Sequence, residues 1–133
     1  SDSLYELSLS YNFENPVVLN NYSYYLSLRK KNLDKAKEMS KLSNILDPNN
    51  GTFQDTYAWV LYQLGKYKEA KTWIEKALEN GSENNAVVLE HYGDILYKLN
   101  LKKEALTQWK KSLNLAEEKE GLQKKIKNAQ LDE

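Results

Sequence analysis

Three stretches of the chain restart one pattern with a period of about 34 residues. They run Pro16 to Asn50, "PVVLNNYSYYLSLRKKNLDKAKEMSKLSNILDPNN"; Gly51 to Asn84, "GTFQDTYAWVLYQLGKYKEAKTWIEKALENGSEN"; and Ala86 to Lys119, "AVVLEHYGDILYKLNLKKEALTQWKKSLNLAEEK". In each, an apolar-periodic helix of roughly three to four turns meets a short turn and then a second helix. A pair of amphipathic helices cannot bury its apolar stripes alone. A pair that recurs can bury them against the next copy. Repetition therefore predicts an all-α solenoid, a stack of antiparallel helix pairs.

Local signals agree with this reading. The turns within the pairs are "RKKN", "GK" and "NLK", and Gly65 supplies the backbone freedom that one of them needs. The second helix of each pair opens on a step ending at Ala36, Ala70 or Ala105. A small side chain there lets the two helices approach closely. Asp47-Pro48 stops one second helix, because proline cannot continue it, and Gly81 stops the next. The expected core stripes are Leu19/Tyr22/Leu26, Tyr57/Val60/Leu61/Leu64 and Leu89/Tyr92/Ile95/Leu96/Leu99, each at helical spacing. Ala58 and Gly93 stand where helices cross.

These residues resemble the tetratricopeptide repeat family. Its pattern is met in the second segment by Tyr57-Ala58, Leu61, Gly65, Tyr67, Ala70, Ile74 and Ala77, with Ser82 in place of Pro. The third has Leu89, Tyr92-Gly93, Leu96, Ala105, Trp109 and Ser112, with Asn100 for the turn Gly. The first has Leu19, Tyr22-Ser23, Leu26, Leu33, Ala36, Ser43 and Pro48, with Ser40 for the aromatic and one extra turn residue. The resemblance implies a right-handed superhelix. The expected division is 16–50, 51–84 and 86–119 for the repeats. Residues 1–15, with Leu4, Tyr5, Leu7 and Leu9, read as the second helix of a truncated earlier repeat. Residues 120–133, with Leu122, Ile126 and Ala129, read as a solvating helix whose lysines face outward. The chain thus reads as part of a longer repeat protein. Its wording is similar to repeat proteins of Gram-negative bacteria; a signal or lipoprotein segment upstream of Ser1 would place the module in the bacterial cell envelope, periplasmic or lipoprotein-anchored, which is favoured over the cytoplasm.

Composition removes several function classes. The 19 basic and 19 acidic residues balance, which disfavours nucleic acid and anionic membrane surfaces, since both select a concentrated basic face. The absence of cysteine excludes disulfides, thiolate catalysis and cysteine-ligated zinc. No apolar run approaches the ~20 residues of a membrane span. No phosphate loop or nucleophile elbow is present, and no cofactor or metal is implied. His91, the single histidine, stands near Glu90 and Asp94 and reads as part of a solvated helix face rather than a catalytic or metal-binding group.

The resemblance implies that the first helix of each pair lines a concave groove that binds partner peptides. Residues opposite the core stripes would face it: Asn20, Tyr24, Ser27 and Leu28; Asp55, Trp59, Tyr62 and Gln63; Glu90, Asp94, Tyr97 and Lys98. The candidate partner-binding residues are Asn20, Tyr24, Asp55, Trp59, Tyr62, Glu90, Asp94 and Tyr97. Tyr and Trp offer large contact area at low rotamer cost, and acids beside them favour a basic or amide-rich ligand. Alternatively Trp59 and Tyr62 pack within the stack. One subtype of the family clamps C-terminal carboxylates with Lys, Arg and Asn. Here Asn20 is followed by Asp55 and Glu90 at the equivalent position, which predicts no binding to acidic C-terminal tails. The expected function is a non-catalytic protein-interaction module. The alternative is a structural spacer or a self-associating segment, a homo-oligomer.

Overall fold

The structure, a computed structural model, describes residues 15–131. Helices α1 (Pro16–Arg29) and α2 (Leu33–Leu46), α3 (Gly51–Gln63) and α4 (Tyr67–Ala77), and α5 (Ala86–Lys98) and α6 (Lys102–Leu115) form three hairpins, and α7 (Glu120–Leu131) follows them. Among the described residues there is no strand. The expected helix over residues 1–15 lies, except for Asn15, outside the described residues, as do residues 132 and 133 at the other end.

Each first helix starts at an asparagine cap. The side chains of Asn15, Asn50 and Asn85 accept from backbone N–H groups of the first turns of α1, α3 and α5. Each cap satisfies donors that have no partner inside the helix. The caps recur at the interval of the repeat itself, at positions 15, 50 and 85.

The turns inside the hairpins need a left-handed residue. Gly65 (φ 79°) and Asn100 (φ 65°) provide it in the second and third hairpins. The longer first turn uses two such residues, Lys30 and Asn32, which accommodates its extra residue. Glycine takes this conformation freely and asparagine more cheaply than most residues. After α4 the chain widens into a π-type turn, Leu78–Ser82, in which Gly81 has φ 102°.

The core consists of three clusters, and each reaches into the following hairpin or helix. Leu19, Tyr22, Leu26, Ala36 and Met39 of α1 and α2 pack with Val60 of α3. Tyr57, Ala58, Leu61, Ala70, Ile74 and Ala77 of α3 and α4 pack with Val88 and Ile95 of α5. Leu96, Ala105, Leu106 and Trp109 of α5 and α6 pack with Leu122 and Ala129 of α7. The last element of each cluster packs on the pair before it, as α7 does on α5 and α6. This is the arrangement of an all-α helical solenoid.

Small residues set the crossings. Ala36, Ala70 and Ala105 are fully buried. The Ser23 hydroxyl donates to the Ala36 carbonyl at 2.7 Å across the first hairpin. Ser112 does the same to the Ala86 carbonyl at 2.6 Å across the third. These two buried hydroxyls are thus satisfied by the backbone of the partner helix.

Candidate functional site

The first helices form a continuous row, α1 against α3 and α3 against α5. Residues that share a face by sequence spacing therefore meet residues of the neighbouring first helix. On α1, Asn20 is 6% exposed, and its Oδ1 has no hydrogen-bond partner. Tyr24, one turn on, is partly buried. Burial raises its pKa, and the nearby charge of Asp55 adds to the rise.

On α3, Asp55 is 7% exposed and does not stand open in a groove. His91 of α5 closes over it, with Nδ1 2.9 Å from Asp55 Oδ1. His91 is itself buried, which corrects the reading of this histidine as part of a solvated face. A helix surface that looks free by its own periodicity becomes an interior when the next first helix lies against it. The imidazole of His91 bonds Asp55 rather than Asp94, its neighbour on α5. Its partner is 36 residues away in sequence, and among the described residues no group of three potential ligands could hold a metal ion.

His91 has a second contact. Its imidazole stacks on the Trp59 indole (centroids 3.9 Å apart, 16° between planes), and Trp59 stacks in turn on Tyr62 (4.5 Å, 7°). The result is a three-ring stack of His91, Trp59 and Tyr62 running along α3 and across to α5. Both aromatics are partly buried, so they are neither fully open nor fully enclosed. The indole N–H of Trp59 is buried without a partner. A basic ligand group approaching Trp59 would meet a ring already covered by His91.

On α5, Glu90 and Asp94 are not free acids either. Lys125 of α7 donates to Glu90 Oε2 at 2.6 Å and to Asp94 Oδ1 and Oδ2 at 2.9 and 3.1 Å. Trp109 Nε1 of α6 also donates to Asp94 Oδ1, at 3.1 Å. Burial pushes the Asp94 carboxyl up despite Lys125, and Glu90 contributes to the rise. Burial opposes the Lys125 ammonium, but Asp94 and Glu90 outweigh it and hold its pKa above the usual lysine value. Burial thus sets the direction for Asp94, and the two carboxylates around one ammonium set it for Lys125. The helical spacing of α7 showed Lys125 only as one of several outward lysines, so sequence reasoning missed this contact.

Tyr97 completes the set. It packs on Trp109 (5.5 Å between centroids) and has the Lys102 ammonium 5.7 Å from its ring centre. Tyr62, Asp94, Tyr97, Trp109, Lys125, Asn128 and Ala129 enclose a cleft of about 320 Å³. The structure thus brings Asp55, Trp59 and Tyr62 together with His91. It brings Glu90, Asp94 and Tyr97 together around Lys125 and Trp109. Tyr24 stands near Asp55, and Asn20 lies buried a turn earlier on α1.

This environment carries a pH signature. Burial raises the hydroxyl pKa of Tyr62 to about 12. Tyr92, which donates to Glu75 Oε2 at 2.6 Å, is raised further by burial and by that bond. Tyr57 and Lys125 are raised as well. The folded chain therefore holds protons that the unfolded chain gives up from about pH 10. Stability is fully present below that pH and is lost as pH rises through the folded values. Thermal melts at about pH 9 and about pH 11.5 should show a lower midpoint at the higher pH, with a smaller loss in Tyr62→Phe. Equal midpoints would contradict the burial of these hydroxyls.

No family model matches the chain, and no curated protein matches it. Solved structures do resemble it. The first tetratricopeptide domain of Spaghetti (RPAP3), bound to the HSP90 peptide SRMEEVD, superposes with TM-score 0.79 at 15% identity, over 88% of this chain and 91% of that one. YrrB, a tetratricopeptide protein with an unusual peptide-binding site, gives TM-score 0.78 at 25% identity, over 96% of this chain and 65% of that one. The Arabidopsis OM64 tetratricopeptide domain gives 0.80 at 19%, over 92% and 99%. The fold is of the tetratricopeptide-repeat type.

Proposed function

We propose that the chain is a non-catalytic protein-interaction module that holds a peptide segment of a partner along the row of first helices. The observation that carries this is the run of partly buried aromatic rings on that row: Tyr24 on α1, Trp59 and Tyr62 on α3, and Tyr97 on α5. Half-enclosed tyrosine and tryptophan rings offer apolar area and a polar edge at once, the composition of binding hot spots. One neighbour of the same fold bound to a peptide, and another with a peptide-binding site, support the reading at the level of the class. The resemblance to Gram-negative repeat proteins favours a bacterial scaffold.

The partner we propose is basic or amide-rich. Asp55 and Glu90 occupy the positions where a carboxylate clamp needs positive or amide groups. Asp55 is already engaged with His91 and Glu90 with Lys125. Neither side chain supplies the positive or amide group that would hold an acidic C-terminal tail there.

A peptide array followed by titration tests both points. Peptides that bind should lose about thirtyfold or more in affinity on Tyr24→Ala, with helical content unchanged, as hot-spot truncations of about 2 kcal/mol or more do. SRMEEVD should not bind. Tight binding of SRMEEVD would overturn the charge argument. Should no peptide bind while sedimentation shows a concentration-dependent dimer, the chain would instead be a self-associating spacer.

A further inference from the structure

The cleft between α5, α6 and α7 differs from the rest of the row. At about 320 Å³ it has room for one side chain of a guest, at the small end of ligand pockets. Three aromatic rings form its walls, Tyr62, Tyr97 and Trp109, and Asp94 stands among them. Lys125 bridges Asp94 and Glu90, so the bridge as a whole carries one negative charge in excess. Tyr97 already draws a cation, since the Lys102 ammonium sits 5.7 Å from its ring centre.

Aromatic rings beside two carboxylates that share one ammonium are a setting that suits a delocalised cation. A guanidinium fits it better than an ammonium, because it is planar, weakly hydrated, and able to stack while pairing with a carboxylate. We infer that this cleft is a subsite for an arginine side chain of the partner peptide, with the guanidinium against the rings and paired to Asp94. The inference deepens the peptide-binding reading and rests on it. Lys125 is then an internal counter-ion that competes with the guest for the same carboxylates. This sets a direction that a simple contact residue would not have: removing the lysine should strengthen binding.

The probe is the blocked pentapeptide acetyl-Gly-Ala-Arg-Ala-Gly-amide, compared with versions carrying Lys, norleucine or Glu at the centre. Binding is followed through the indole N–H resonances by NMR, with the Trp109 signal assigned by Trp109→Phe. The arginine peptide should shift the Trp109 resonance and bind about tenfold more tightly than the norleucine peptide, the scale of a partly desolvated cation–aromatic contact with its ion pair. Asp94→Asn, which keeps an acceptor for Trp109, should weaken it by about tenfold, and Lys125→Met should strengthen it by a similar factor.

With the short peptides, three results would each overturn the inference. The norleucine peptide could bind as well as arginine, which would make the cleft an apolar anchor. The glutamate peptide could bind best and be lost in Lys125→Met, which would make Lys125 an anion receptor. The arginine peptide could leave the Trp109 signal unmoved. If a longer array peptide responds to Tyr24→Ala but not to Asp94→Asn or Lys125→Met, the cleft assignment fails while the peptide-binding reading stands.

Discussion

Gly93→Ala is expected to lower the melting temperature by on the order of 10 °C. A Cβ at position 93 would lie 2.3 Å from both Cδ1 and Nε1 of Trp109, and 2.9 Å from its Cγ. A flexible side chain could move aside, but this one is a rigid indole, 3% exposed. Its N–H is committed to Asp94. The added methyl must therefore separate α5 from α6 or turn the indole out of its bond. Overpacking of this kind costs about 1–3 kcal/mol, and the loss of the Asp94 contact adds to it. Gly121→Ala is the control, because nothing stands within 4 Å of the Cβ it would add. There the better helix propensity of alanine should leave stability unchanged or raise it by up to about 1 kcal/mol. Thermal melts of both variants decide the matter. If Gly93→Ala melts like the control, the close crossing of α5 and α6 is wrong.

His91→Leu should destabilise the chain by about 3 kcal/mol, because it strips a buried carboxylate of its partner. The Asp55 and His91 side chains are 11% and 9% exposed, so water can replace little of what is lost. The indole of Trp59 loses its stacking neighbour in the same step, and its fluorescence should shift with it. The double variant Asp55→Leu with His91→Leu should recover much of the stability. Replacing a buried polar pair with apolar groups is far less costly than orphaning one member. Chemical unfolding of the two single variants and the double variant gives the coupling directly. A double variant no more stable than His91→Leu would show that the pair does not act as a unit. Under the proposed function the histidine has a structural part in the stack and no part in turnover.

Much of the architecture was legible in residue order. The restart at Pro16, Gly51 and Ala86 coincides with the first residues of α1, α3 and α5. Pro48 and Gly81 end second helices because each breaks the helical backbone locally, and Gly65 and Asn100 close turns for the same kind of reason. Leu19, Tyr22 and Leu26, and likewise Val60 and Leu61, are buried as their spacing predicts. The asparagine caps at 15, 50 and 85 were also there to be read, as one residue type recurring at the repeat interval just before each apolar run.

The candidate site was less legible. Spacing identified which residues lie opposite the core stripe, but opposite the stripe did not mean open. Asn20 and Asp55 are buried, Trp59 is stacked under His91, and Glu90 and Asp94 are bridged by Lys125.

The sequence by itself thus determined the helices, their turns, the pairing within each hairpin and the face each helix gives to the core. These depend on capping, propensity and periodicity over a few residues. Only the tertiary structure decided what covers the remaining faces. The Asp55–His91 and Asp94–Lys125 contacts join residues 36 and 31 positions apart. They depend on how far each helix is rotated against the next, and no periodicity within one helix encodes that rotation.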